Sequence, residues 1–189
     1  MSIARVLSAT ALAAGLLVSF RSEALDIVGV FQMRLDNNAS KCLDFTAGDM
    51  SNNVTLQLWG CANNYNHQLW WVYGLPYAGN DQIRVMFQNF NNATCIAVEN
   101  DSIANGARLV QRICDVNNPS QQWIRLTRGP NMGDRSKFMN IRSGKCMDAP
   151  YSSNGTVLQQ WDCASASYWP QQMFRGTFIP VQGPPIWPL

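Results

Sequence analysis

Two markers recur in phase along this chain, and together they constrain its fold more than any other feature. Six cysteines form three close pairs, Cys42 with Cys61, Cys95 with Cys114 and Cys146 with Cys163. The first members of these pairs are 53 and then 51 residues apart. The segments Gln68-Leu69-Trp70, Gln121-Gln122-Trp123 and Gln172-Met173-Phe174 recur at the same 53 and 51. The third copy is two residues short between its cysteines and regains them before Gln172. Two markers in phase define a threefold internal repeat, and of the many pairings that six cysteines admit the repeat selects the three local ones. Each bridge closes a short loop and stabilises by about 3 kcal/mol in the chain-entropy model.

The segments between the markers also align. Leu56-Gln57-Leu58-Trp59-Gly60, Leu109-Val110-Gln111-Arg112-Ile113 and Leu158-Gln159-Gln160-Trp161-Asp162 precede the second cysteine of each pair. Turn signals stand upstream of them at Ser51-Asn52-Asn53, Ala104-Asn105-Gly106 and Ser153-Asn154-Gly155. Short alternating runs bounded by Asn and Gly predict strands, about four per repeat, and nothing holds a helical period for long. The fold class is all-β. Three units that cannot each bury an apolar face must close on one shared core, which at this length predicts a β-trefoil of three in-phase repeats with one local disulfide each. Trp70, Trp123 and Phe174 form the expected core set. The amides of Gln68, Gln121 and Gln172 can each serve one backbone C=O and one N–H and so fix a loop.

The compartment follows from the N-terminus. Met1–Ala24 carries Arg5, an apolar run from Val6 to Phe20 and a small-x-small ending at Ser22-Glu23-Ala24, the layout of a secretory signal peptide. That run is too short to span a bilayer, and no later stretch is apolar enough to do so. Residues 25–176 form the predicted domain, and 177–189 a Pro-rich tail with Pro180, Pro184, Pro185, Pro188 and an Ile186-Trp187 pair. Export, to the outside of the cell or the periplasm, agrees with an even set of disulfides. Without a C-x-x-C pair and with one histidine, no metal site or other cofactor is expected. A net charge of +2 without a basic run gives no footprint for nucleic acid. Asn and Gln together number 31 against 12 Asp and Glu, a surface rich in groups that both donate and accept.

At this point the chain resembles the ricin-type (R-type) lectins. The resemblance rests on Gln-x-Trp in three copies, with Phe in the third, on Cys42-Leu43-Asp44 and Cys146-Met147-Asp148, and on Gln57-Leu58-Trp59-Gly60-Cys61 and Gln159-Gln160-Trp161-Asp162-Cys163. It covers about Val30 to Phe174. It implies a β-trefoil with one galactose-type site per repeat and binding without catalysis. The positions matching the family's pattern hold Asp44, Gln57, Trp59, His67 and Gln68 in the first repeat, and Asp148, Gln159, Trp161, Gln171 and Gln172 in the third. His67 and Gln171 stand where the family often has Asn.

The chemistry suits a pyranose, which has one apolar C–H face and a rim of hydroxyls. An aromatic ring covers the face, a carboxylate accepts two adjacent hydroxyls in charge-assisted bonds, and an amide completes the rim. The second repeat departs from the pattern: Ala97, Val110 and Arg112 replace the carboxylate, the first Gln and the aromatic, while Cys95, Cys114, Gln121 and Trp123 remain. Asp44 and Asp148 could instead cap turns, and Trp59 and Trp161 could be core residues. Their concerted replacement in the second repeat favours a binding role, because parts needed for folding would have been kept.

Catalysis is not expected. A nucleophile-base set would have to form around His67 with every cysteine committed to a bridge, and Asp44 and Asp148 fall in different lobes, too far apart for a two-carboxylate glycosidase. The expected function is that of a secreted carbohydrate-binding lectin whose partners are glycans. The alternative is a receptor-binding subunit of a secreted toxin or protein complex, with the tail docking a protein partner rather than wrapping its own domain.

Overall fold

The computed structural model describes residues 26–46, 51–63, 65–75, 83–92, 94–127, 133–165 and 169–181. The expected signal peptide Met1–Ala24 and the tail beyond residue 181 lie outside the described residues. Among these residues thirteen antiparallel strands follow one another: β1 (Asp26–Leu35), β2 (Asn38–Phe45), β3 (Leu56–Gly60), β4 (Leu69–Leu75), β5 (Ile83–Asn89), β6 (Thr94–Val98), β7 (Leu109–Ile113), β8 (Trp123–Thr127), β9 (Ser136–Asn140), β10 (Cys146–Asp148), β11 (Thr156–Val157), β12 (Gln159–Trp161) and β13 (Phe174–Phe178). No α-helix occurs among the described residues, and no helix there is long and apolar enough to cross a membrane.

Six strands close a barrel. β1 pairs with β4, β4 with β5, β5 with β8, β8 with β9, β9 with β13, and β13 returns to β1. The remaining strands form one hairpin per repeat: β2–β3, β6–β7, and β10–β12 with β11 as its bent arm. The turn of each hairpin docks on the next repeat: Asn53 N–H donates to Gln111 O at 2.8 Å, Gly106 N–H to Gln160 O at 2.9 Å, and Gly155 N–H to Leu58 O at 2.9 Å. Three equivalent bonds around one axis are the β-trefoil that the in-phase markers predict. Gly106 and Gly155 have φ of +81° and +77°, a conformation that favours glycine, and Asn53 adopts it at φ +70° in the first repeat.

Trp70, Trp123 and Phe174, one from each repeat, are completely buried, as are Leu56, Leu109 and Leu158. Phe45 meets Trp70 edge-on at 5.1 Å, and Phe138 bridges Phe87 and Phe174. Full burial of one such side chain is worth about 1.5–3 kcal/mol, so this shared core drives closure of the ring. The disulfides are Cys42–Cys61, Cys95–Cys114 and Cys146–Cys163, with Cα atoms 5.0, 5.0 and 4.9 Å apart.

The glutamines of the repeat clamp the backbone on either side of each second cysteine. Gln68 Nε2 donates to Gly60 O at 2.9 Å and its Oε1 accepts from Ala62 N–H at 3.0 Å. Gln121 does the same with Ile113 O and Asp115 N–H, and Gln172 with Asp162 O and Ala164 N–H. One amide thus satisfies a donor and an acceptor that a sharp loop would otherwise orphan.

β13 runs to Phe178, two residues past the expected domain boundary. Beyond it Ile179 N–H donates to Val30 O at 2.9 Å, and Ile179 and Val181 pack on the buried set Val30, Leu69, Trp71 and Tyr73. The described part of the tail therefore lies against its own domain.

Candidate functional site

Strand register assembles the candidate residues. In the first repeat Asp44 on β2 stands opposite Gln57 on β3, and Cys42 opposite Trp59. Side chains alternate along a strand, so Gln57 and Trp59 share the outward face with Asp44 while Leu56 and Leu58 enter the core. The third repeat has the same register, Asp148 opposite Gln159 and Cys146 opposite Trp161. In the second, Ala97 lies opposite Val110 and Cys95 opposite Arg112.

Each carboxylate is buried while the tryptophan of its repeat is not. Asp44 is 2% exposed and Asp148 5%, whereas Trp59 and Trp161 are 42% and 46% exposed. Two half-bare indoles are not core residues, and two buried carboxylates on strands are not turn caps. Gln68 Nε2, besides its backbone bond, donates to Asp44 Oδ2 at 2.7 Å, and His67 Nε2 lies 3.4 Å from the same oxygen. In the third repeat Gln159 Nε2 donates to Asp148 Oδ2 at 3.0 Å, and Gln172 also bonds to this carboxylate. Burial pushes both carboxyls above their ordinary value, opposed at Asp44 by the bond from Gln68, the nearby His67 and the bond from Gln57, and at Asp148 by bonds from Gln159 and Gln172. The amides hold these carboxylates in place and leave lone pairs for further donors.

The two sites differ at one position. His67 sits against Asp44, but Gln171 makes no hydrogen bond to Asp148. The residue lines a neighbouring cleft, and its Oε1 is buried without a donor. Sequence comparison of the repeats also missed an aromatic pair. Tyr65 and Trp169, each three residues before the clamping glutamine, precede the single 3-10 turns Asn66–Gln68 and Pro170–Gln172 and are 46% and 45% exposed. Tyr65 stacks on His67 with ring centres 4.9 Å apart. The second repeat has Asn118 there, which caps its own turn by accepting from Ser120 N–H. The signal was available: an aromatic in the two repeats that keep the carboxylate, and a capping residue in the one that lost it.

The second repeat also touches the candidate residues of the third. The Asn105-Gly106 turn passes under Trp161, where a Cβ at Gly106 would come within 3.8 Å of the indole. Asn105 Nδ2 donates to Asp162 Oδ2 at 2.8 Å, and Lys145 Nζ lies 2.5 Å from Asp162 Oδ1. Lys41 Nζ and Asn154 Oδ1, 2.6 Å apart, tie the first and third repeats beside Gly60. Among the described residues, no group of three or more His, Cys, Asp or Glu is arranged to hold a metal ion.

Residues 31–174 match the model of the ricin-type β-trefoil lectin domain. No curated protein matches the chain in sequence. Among solved structures it is similar to ThreeFoil, a designed threefold-symmetric protein, with a TM-score of 0.67 at 19% identity, covering 80% of this chain and 99% of that one. The C-half of the earthworm R-type lectin in complex with GalNAc aligns with a TM-score of 0.55 at 16% identity, over 80% of this chain and 99% of that one. The cytolethal distending toxin of Haemophilus ducreyi aligns at 0.57 and 17% identity, over 78% of this chain and 81% of that one. At such identities these likenesses establish the fold alone.

Proposed function

The chain belongs to the ricin-type β-trefoil lectin family, and from that premise we propose that it is a secreted lectin that binds galactose-type sugars through its first and third repeats. The observation that carries this reading is the recurrence, in those two repeats only, of a buried carboxylate beside a half-exposed tryptophan. Trp59 and Trp161 offer a flat apolar surface to a pyranose face, and Asp44 and Asp148 accept adjacent hydroxyls. Gln57 and Gln159, beside the carboxylates, complete the polar rim. Tyr65 and Trp169 add a second aromatic edge. The GalNAc bound by the earthworm protein supports the galactose class. The second repeat keeps the core Trp123 and the clamp of Gln121 and acts as scaffold.

Shallow sites bind single sugars weakly, and two sites on one rigid domain gain through avidity. The test is retention on immobilised galactose and on a glycan array, comparing the native protein with an Asp44→Asn/Asp148→Asn double variant. Loss of binding in the folded double variant supports the assignment; undiminished binding overturns it.

One observation favours a second reading, a receptor-binding subunit of a toxin or other complex. Ile27 and Val28, near the start of β1, and Phe178, at the end of β13, leave apolar surface exposed. Gel filtration of the protein purified from its native source, with mass spectrometry of anything that co-elutes, tests that reading.

A further inference from the structure

A cleft of about 390 Å³ opens beside the third site, between the turn joining β1 to β2 and the loop that follows Asp148. It lies within the range of small-molecule sites, roughly 300–1,000 Å³. Its walls come from two repeats: Leu35 and Asn37 from the first, and Pro150, Tyr151, Ser153 and Gln171 from the third. Tyr151 is 73% exposed, the barest large apolar or aromatic side chain among the described residues. An exposed aromatic ring beside a cleft of mixed polar and apolar lining offers an apolar face and a polar rim together, the chemistry that a sugar ring presents.

The walls are held before any ligand arrives. Asn38 Nδ2 donates to Ser152 O at 3.2 Å, Ser153 Oγ lies 3.2 Å from Thr156 Oγ1, and Asp36 N–H donates to Met173 O at 2.9 Å. The carboxylate of Asp36 pairs with both Arg135 and Arg175 and pins the turn from below. Pro150 removes one backbone freedom next to Tyr151. The cleft adjoins the candidate residues of the third repeat: Ala149 and Gln171, which line it, follow Asp148 and precede Gln172, and Ala149 N–H donates to Gln171 O at 2.8 Å. Ala47 and Asn100 stand at the positions matching Tyr151 in the other repeats, so the ring is peculiar to the third.

We propose that this cleft is a second subsite, in which Tyr151 and Asn37 hold the neighbouring sugar of a glycan whose terminal residue sits at Asp148 and Trp161. The inference rests on the lectin reading above. It makes the third site selective for oligosaccharides, while the first recognises a single residue.

The test uses the Asp44→Asn protein, in which only the third site remains, titrated calorimetrically with methyl β-galactoside and a panel of α- and β-linked galactose disaccharides. At least one disaccharide should bind about tenfold tighter than the monosaccharide, the worth of one aromatic contact. Tyr151→Ala should abolish that gain and leave the monosaccharide affinity unchanged. Asn37→Trp, which fills the cleft from its other wall, should do the same. Equal affinity for the monosaccharide and every disaccharide overturns the subsite. So does a Tyr151→Ala variant that weakens both equally, because Tyr151 would then belong to the first sugar's site. Absence of binding to every sugar by the native protein would overturn the lectin reading itself, and the subsite with it.

Discussion

The side-chain amide of Gln68 donates one hydrogen to Asp44 Oδ2 at 2.7 Å and the other to Gly60 O at 2.9 Å. A single residue therefore clamps the loop around Cys61 and orients the carboxylate of the first site. Scaffold and site share an atom, which decides how variants of the site will behave.

Asp44→Ala leaves that amide hydrogen without its acceptor in a buried place and should destabilise by about 1–3 kcal/mol. Asp44→Asn keeps an acceptor there and removes a charge that burial disfavours, so its melting temperature should equal or exceed that of the native protein. Thermal melts of the two variants, read beside sugar binding, check this. Both should lose the first site; only the alanine should lose stability.

The two sites should be separable by avidity. Asp44→Asn alone and Asp148→Asn alone should each weaken retention on a multivalent galactose surface by about 100-fold while the remaining site keeps its affinity for soluble sugar. Arg112→Ala, at the position that lost its aromatic, should leave binding unchanged. Surface binding and calorimetry measured side by side provide the check.

Acid should act on binding and stability in opposite directions. Burial raises the carboxyls of Asp44 and Asp148 above 3.8 in the folded chain. Their ionised forms are thus disfavoured by folding, and protonation as pH falls through the raised values relieves that penalty. Sugar binding needs the ionised acceptor, so it should decline on acidification from a pH above 3.8. The cleanest readout is the Asp44→Asn protein, whose remaining site has no histidine beside its carboxylate. Its affinity against pH, with circular dichroism at each point, should report loss of binding in a folded chain.

Trp123→Ala should cost about 3–5 kcal/mol although its repeat is assigned no sugar. The indole is fully buried and donates to Ile96 O at 3.4 Å. An unchanged melting midpoint would contradict a shared core.

Tyr65→Ala removes the ring stacked on His67 and should weaken the first site several-fold, within the roughly 0.5–1.5 kcal/mol of an aromatic contact, with no change in melting because the ring is half exposed. Sugar titration of Tyr65→Ala in an Asp148→Asn background measures it.

The sequence by itself determined the relations that lie within one repeat. The Cys42–Cys61 bridge, the Gln68 clamp and the alignment of Asp44, Gln57 and Trp59 with the third repeat all involve residues close along the chain, where strand alternation and short loops leave few alternatives. The same local logic sets the second repeat apart, since Ala97, Val110 and Arg112 occupy one face. Tertiary structure alone decided what happens between repeats. Closing β13 onto β1 brings the loop after Asp148 against the turn after Leu35, which creates the cleft and sets Tyr151 beside it. Lys41 meets Asn154 across 113 residues, and Asn105 meets Asp162 across 57. Gln171, matched to His67 by alignment, lines the cleft and makes no hydrogen bond to its carboxylate. These contacts depend on how three imperfect copies pack around a common axis. A repeat pattern specifies each copy, but the surfaces between copies exist only once the shared core has closed.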